Sequence, residues 1–172
     1  MIKIETLVQL KAFARQDALW LALLWTASFA CIMLLNIGLI GDILALATPF
    51  VLGRRLCSFR DNALGGVISF RRAFAYCAYT FFYASLVYAI VQFAYFQFLD
   101  HGVFAQNITT TMHTLTPMYE QSGIPKEQIN NYISILGMIT PVQWAFMFMM
   151  QNLIIGVFLA FPIAALCQRR SI

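Results

Sequence analysis

The sequence predicts an all-α polytopic membrane protein with four transmembrane helices, both termini cytoplasmic, and a small helical outer segment between the third and fourth helices. Three observations carry this. Of the 172 residues, 61% are hydrophobic and only 10% charged, where a soluble domain carries about 25% charged residues. A core of this size cannot hide so much apolar surface, so lipid must cover it. The apolar residues also fall in blocks long enough to cross a bilayer, which takes about 20 residues at 1.5 Å each. Finally, the cations flank these blocks in a one-sided pattern, so the net charge of +4 marks topology and not nucleic-acid binding.

The elements follow in order. Residues 1–17 read as an amphipathic helix on the membrane surface, with Ile4, Leu7, Leu10, Phe13 and Ala14 at three- to four-residue spacing and Lys3, Lys11 and Arg15 elsewhere. A cytoplasmic extension of the first transmembrane helix fits the same pattern. Residues 18–53 are apolar, interrupted near the middle by Asn36, Gly38, Gly41 and Asp42. Both ends of this block are basic, so it crosses twice: a first span at 18–36 and a second at 39–53, kinked at Pro49. A cytoplasmic loop at 54–72 holds Arg54, Arg55, Arg60, Arg71 and Arg72 around Gly65-Gly66.

The third span is 73–99, and 100–139 is the outer, periplasmic segment. Within it a helix from about 104 to Gln121 stops at Gly123, and Pro125 opens another through about Leu136. The fourth span is 141–166, followed by a cytoplasmic tail at 167–172. This arrangement puts ten of the eleven Lys and Arg residues on one side and leaves Lys126 alone on the other. The chain reads as a single membrane domain, without a convincing secretory signal.

Catalytic chemistry is not expected. No Ser/His/Asp, GxSxG or phosphate-loop pattern occurs. His101 and His113 lack a helical partner, and with Asp100 they read as structural or solvated residues and not as metal ligands. Cys31, Cys57, Cys77 and Cys167 form no CxxC pair and read as small packing residues, without a disulfide framework. Apart from Asp42 at the outer turn, the expected spans contain no Asp, Glu, Lys, Arg or His, which weighs against proton- or sodium-coupled transport. Neither a cofactor nor a metal is expected.

What remains is packing and charge. Asn152, Gly156, Ala160 and Ala164 repeat at four-residue spacing, a close-packing ridge. Ser85 and Gln92 share a face of the third span, and Asn152 is expected to hydrogen-bond Ser85 or Tyr88 near the midplane. The many aromatics of the third span fit a lipid-facing belt more economically than a groove for a lipid chain. In the loop, Arg60-Asp61 and Arg71-Arg72 bracket Gly65-Gly66, where glycines permit a sharp reversal. That reversal is expected to bring Arg60, Arg71 and Arg72 onto one anionic group, a lipid phosphate or a partner's acidic residues, with Asp61 offsetting one charge. The alternative is a topology signal that touches anionic lipid generally.

Phe59-Arg60-Asp61, Gly65-Gly66-Val67-Ile68-Ser69-Phe70 and Ala73-Phe74 resemble the signature of a family of small four-helix bacterial inner-membrane proteins, domain of unknown function 4199. The resemblance covers nearly the whole chain. It implies this loop before the third span, an outer segment and a basic C-terminus, and it brings no established activity. Members are often encoded near membrane glycosyltransferases acting on polyprenyl phosphate. The resemblance therefore implies a non-catalytic inner-membrane accessory subunit or scaffold, partner of such a polyprenyl-phosphate glycosyltransferase. Membrane lipid and a protein partner or homo-oligomer are the expected contacts. The alternative is a lipid-binding or lipid-translocating protein, which rests on the loop arginines and the aromatics of the third span.

Overall fold

Between Ile4 and Met33 the sequence holds neither glycine nor proline, and the backbone forms one helix of 30 residues, α1 (Ile4–Met33). The computed structural model describes residues 4–169. After α1 come α2 (Gly38–Leu46), α3 (Thr48–Ala63), α4 (Phe70–Phe98), α5 (Val103–Gln121), α6 (Lys126–Gly137) and α7 (Pro141–Cys167). The described chain is all-helical. Among the described residues, three helices are long and apolar enough to cross a membrane: α1 from Thr6, α4 and α7. The chain divides into two compact units, one within Met1–Ala89 and Phe148–Ile172, the other Ile90–Met147.

In the first unit α2 and α3 run back along α1. A turn at 34–37 reverses the chain, with Asn36 in the left-handed region at φ 57°, which a short polar side chain tolerates. Three side-chain bonds then join the two arms. The Ser28 hydroxyl donates to the Gly41 carbonyl at 2.7 Å, the Trp25 indole donates to Thr48 Oγ1 at 3.0 Å, and Arg55 pairs with Asp17. Partners descend α1 as they climb α2 and α3, so the arms are antiparallel. Gly41 makes the approach possible: a Cβ there would lie 2.9 Å from the Ser28 carbonyl oxygen and overlap Ile32. Across the unit, Gly156, Ala160 and Ala164 of α7 are buried, and a Cβ on Gly156 would stand 2.5 Å from Cγ of Phe81. That is close small-residue packing. Large apolar side chains such as Leu166 and Phe50, 85% and 78% exposed, point outward, as lipid-facing residues do.

Three sequence expectations change here. The surface helix expected over 1–17 is the first half of α1; its residues 1–3 lie outside the described region, as does Arg170 of the tail. Nothing in Arg15-Gln16-Asp17 breaks a helix, and Asp17 finds a partner that lets it be buried. Pro49 opens α3 after a break at Ala47, sitting in the first turn where its missing N–H costs nothing. The loop expected over 54–72 is mostly helix: α3 continues to Ala63 and α4 begins at Phe70, leaving only 64–69 outside them.

The second unit follows the local signals closely. Asp100 accepts the Phe104 N–H on both carboxylate oxygens at 3.1 Å, capping the start of α5. Gly123 takes φ 89° and ends α5, and Pro125 stands as the N-cap of α6. The rings of Phe96, Phe104 and Trp144 touch in series, at 5.2 and 5.1 Å between centroids.

Candidate functional site

The basic end of the first unit gathers most of the polar chemistry. Arg60 lies on the last turn of α3. Its Nε and Nη2 donate to both oxygens of Asp61 at 2.7 and 3.0 Å, and its Nη1 donates to the carbonyl of Cys167 at 2.9 Å. The second contact places a cation on the C-terminal carbonyls of α7, where the helix dipole is negative. The hydrogen bond to Asp61 raises the pKa of Arg60, and the same bond lowers that of Asp61. Gly65 and Gly66 both adopt positive φ, 65° and 85°. They turn the chain so that Ile68 and Arg169 exchange backbone hydrogen bonds at 2.9 and 3.0 Å. Cys167 also directs its thiol to the Gly53 carbonyl at 3.7 Å. The loop is a clasp on the last turn of α7.

The expected convergence of Arg60, Arg71 and Arg72 does not occur. Arg60 is committed to Asp61 and Cys167. Arg72 gives Nη2 to Gln9 at 3.2 Å and lies over the Phe59 ring, while its buried Nε has no partner among the described residues. Arg71 is exposed. The reason is geometric: α3 continues past Arg60, and consecutive residues in the first turn of α4 point about 100° apart.

Sequence reasoning missed Asp17. It is 4% exposed and lies just before the expected first span at 18–36, within the long apolar helix Thr6–Met33. Oδ1 accepts Arg55 Nε at 2.6 Å and also Nη2, and Oδ2 accepts the Tyr76 hydroxyl. Phe59 stacks on Tyr76 at 4.9 Å and 10°, and Arg55 lies over Trp20 at 5.9 Å. A signal was present. Asp17 and Arg55 are each nineteen residues from Asn36, and an antiparallel hairpin puts equidistant residues side by side.

Among the described residues the ion pairs are Arg55–Asp17 and Arg60–Asp61. Arg15, Arg54, Arg71 and Arg169 are exposed and form no ion pair among the described residues, although Arg169 is close enough to Asp61 to help hold its pKa down. A family model described as a protein of unknown function (DUF4199) matches residues 16–169. The chain belongs to the DUF4199 family. The match spans both the Asp17–Arg55–Tyr76 cluster and the clasp that ends at Arg169. No curated protein and no solved structure matches the chain.

The remaining predicted residues of this DUF4199 chain sit deeper. The Asn152–Ser85 bond is not formed: the Ser85 hydroxyl is buried without a partner among the described residues. Asn152 and Tyr88 instead line a cavity of about 210 Å³ with Trp25, Ser28, Thr48 and Phe81. Gln92, in the second unit, is buried with its carbonyl oxygen unpartnered among the described residues. The described residues contain no cluster of three metal-ligating side chains.

Proposed function

We propose that this DUF4199 chain is a non-catalytic accessory subunit of the bacterial inner membrane that crosses four times and holds a partner protein through its cytoplasmic end. The fourth crossing is α2 with α3. The bonds Ser28–Gly41, Trp25–Thr48 and Asp17–Arg55 favour it, because an arm antiparallel to a spanning helix at matched levels crosses the same thickness. Four crossings return both termini to the side with most Lys and Arg, the cytoplasm.

One observation carries the partner reading: the division of the cations at that end. Arg55 and Arg60 are committed internally, while Arg15, Arg54 and Arg71 are exposed on helices and form no ion pair among the described residues. Cations held on a fixed backbone steer and orient an acidic partner surface. The family's association with polyprenyl-phosphate glycosyltransferases makes such an enzyme the expected partner. Co-purification from native membranes tests this. The parent should retain a stoichiometric protein, and the double variant Arg54→Ala, Arg71→Ala should lose most of it while inserting normally. Purification of the parent alone under mild detergent sinks the reading.

Topology is tested by cysteine labelling in a background lacking the four native cysteines. Leu35→Cys and Ser122→Cys should label from outside, Ser58→Cys and Ser69→Cys from inside. Labelling of positions 35 and 58 from the same side removes the fourth crossing. A second reading, lipid binding, is favoured by the cavity between the helices.

A further inference from the structure

The cavity is mostly apolar but carries several polar groups among its lining residues. Ser28, Thr48, Trp25 and Tyr88 are each at least nine-tenths buried, and all line it together with Asn152. Their hydrogen-bonding capacity is only partly used. Thr48 Oγ1 accepts from Trp25 and keeps its own proton to donate. Ser28 donates to Gly41 and keeps its lone pairs. The Asn152 amide has two donors and an acceptor and no hydrogen-bond partner among the described residues.

Three properties define what fits. No carboxylate, guanidinium, ammonium or imidazole lines the space, so nothing compensates a charge there, and burying a charge at this depth is costly. The depth follows from position: Phe81 and Tyr88 bracket the middle of α4, and Asn152 and Leu159 bracket the middle of α7. The volume of about 210 Å³ lies below the roughly 300–1,000 Å³ of a site that encloses a drug-sized molecule, so it takes a headgroup and leaves a tail outside. The cavity opens at Ala45 and Ile155, which line it and are themselves exposed, on the lateral surface of the helices. Trp25, stacked on Phe81 at 6.0 Å and edge-on to Tyr88 at 5.7 Å, gives one wall an aromatic face.

We propose that this cavity binds the uncharged, hydroxyl- or carbonyl-bearing head of a membrane-soluble amphiphile, entering from the bilayer between α2 and α7. The Asn152 amide and Thr48 hydroxyl donate to the head's oxygens, and Ser28 accepts from a hydroxyl. Diacylglycerols, long-chain alcohols and quinones share this chemistry. The proposal deepens the lipid-binding reading and fails separately from it.

The test uses the full chain in proteoliposomes with photoreactive diazirine analogues of dioleoylglycerol and of farnesol, and of phosphatidylglycerol as the charged comparison. Crosslinked peptides are mapped by mass spectrometry. At least one neutral probe should label residues 81–88 or 152–159 saturably, with competition by unlabelled dioleoylglycerol, farnesol or decylubiquinone naming the source. Ala45→Phe, which fills the mouth, and Asn152→Leu should each lower that labelling about tenfold with unchanged helicity. If Ala45→Phe does not fold, Thr48→Val replaces it with the same expectation. Labelling that does not saturate, that the variants leave unchanged, or that phosphatidylglycerol reproduces in the cavity overturns the proposal. Labelling by phosphatidylglycerol at the basic end alone leaves lipid binding standing and removes the cavity site.

Discussion

The basic end and the mid-bundle cavity, both in the first unit, treat polar groups in opposite ways. At the basic end the buried carboxylate is saturated: Asp17 accepts from Arg55 and Tyr76, and Arg60 places its donors on Asp61 and Cys167. In the cavity Asn152 has no partner among the described residues and Thr48 retains a free donor. A saturated network fixes helices against one another, and removing one member strands the others. An unsaturated one keeps donors for something else. The difference separates the part of this bundle that holds it together from the part that can take a ligand.

The contrast is sharpest in stability. Asp17→Ala leaves Arg55 and the Tyr76 hydroxyl without their acceptor and should cost about 3 kcal/mol in detergent unfolding. Tyr76→Phe removes one donor and should cost about 1 kcal/mol. If Asp17→Ala costs no more than Tyr76→Phe, the ion pair is not holding α1 to α3. Gly156→Ala, which drives a Cβ to 2.5 Å from Phe81, should cost about 2 kcal/mol by overpacking. A neutral result there means the α7 ridge relaxes freely.

Smaller effects probe the clasp and the cavity. Arg60→Ala removes the cation from the end of α7 and should cost about 1 kcal/mol, with tail labelling at Gln168→Cys accelerated. Asn152→Leu should change stability little, because no described residue loses a hydrogen bond with it; a large loss breaks the contrast between the two regions. The smallest effect depends on pH. Arg60 lowers the folded pKa of Asp61, so this pair stabilises above the unfolded carboxylate value, about 3.9. That contribution is lost as pH falls through the lower folded value. Asp61 is exposed, so solvent screens the pair. A carboxylate NMR titration should show the Asp61 midpoint rising in Arg60→Ala, and an unmoved midpoint removes the pairing.

Much of the helical layout was legible because it depends on local chemistry. Hydropathy blocks located the three long apolar helices, and Gly123 and Pro125 marked the ends of α5 and α6 because positive φ and a missing N–H act where they stand. The segment 54–63 was misread as loop because polar residues beside an apolar block look alike whether helical or not. Charge alone cannot distinguish a helix leaving the bilayer from an irregular connection.

Taken alone, the sequence determined that the chain needs lipid around it, where its helices turn, and that its cations crowd one end. Only the tertiary structure decided what those cations do. Arg60 meets Cys167 across 107 positions and Arg55 meets Asp17 across 38, contacts set by the rotation of each helix and the level at which it packs. One residue of rotation turns a side chain by about 100°, from the interior to the lipid. That angle is fixed by close contacts such as Gly41 on Ser28 and Gly156 on Phe81, which exist only once the helices have met.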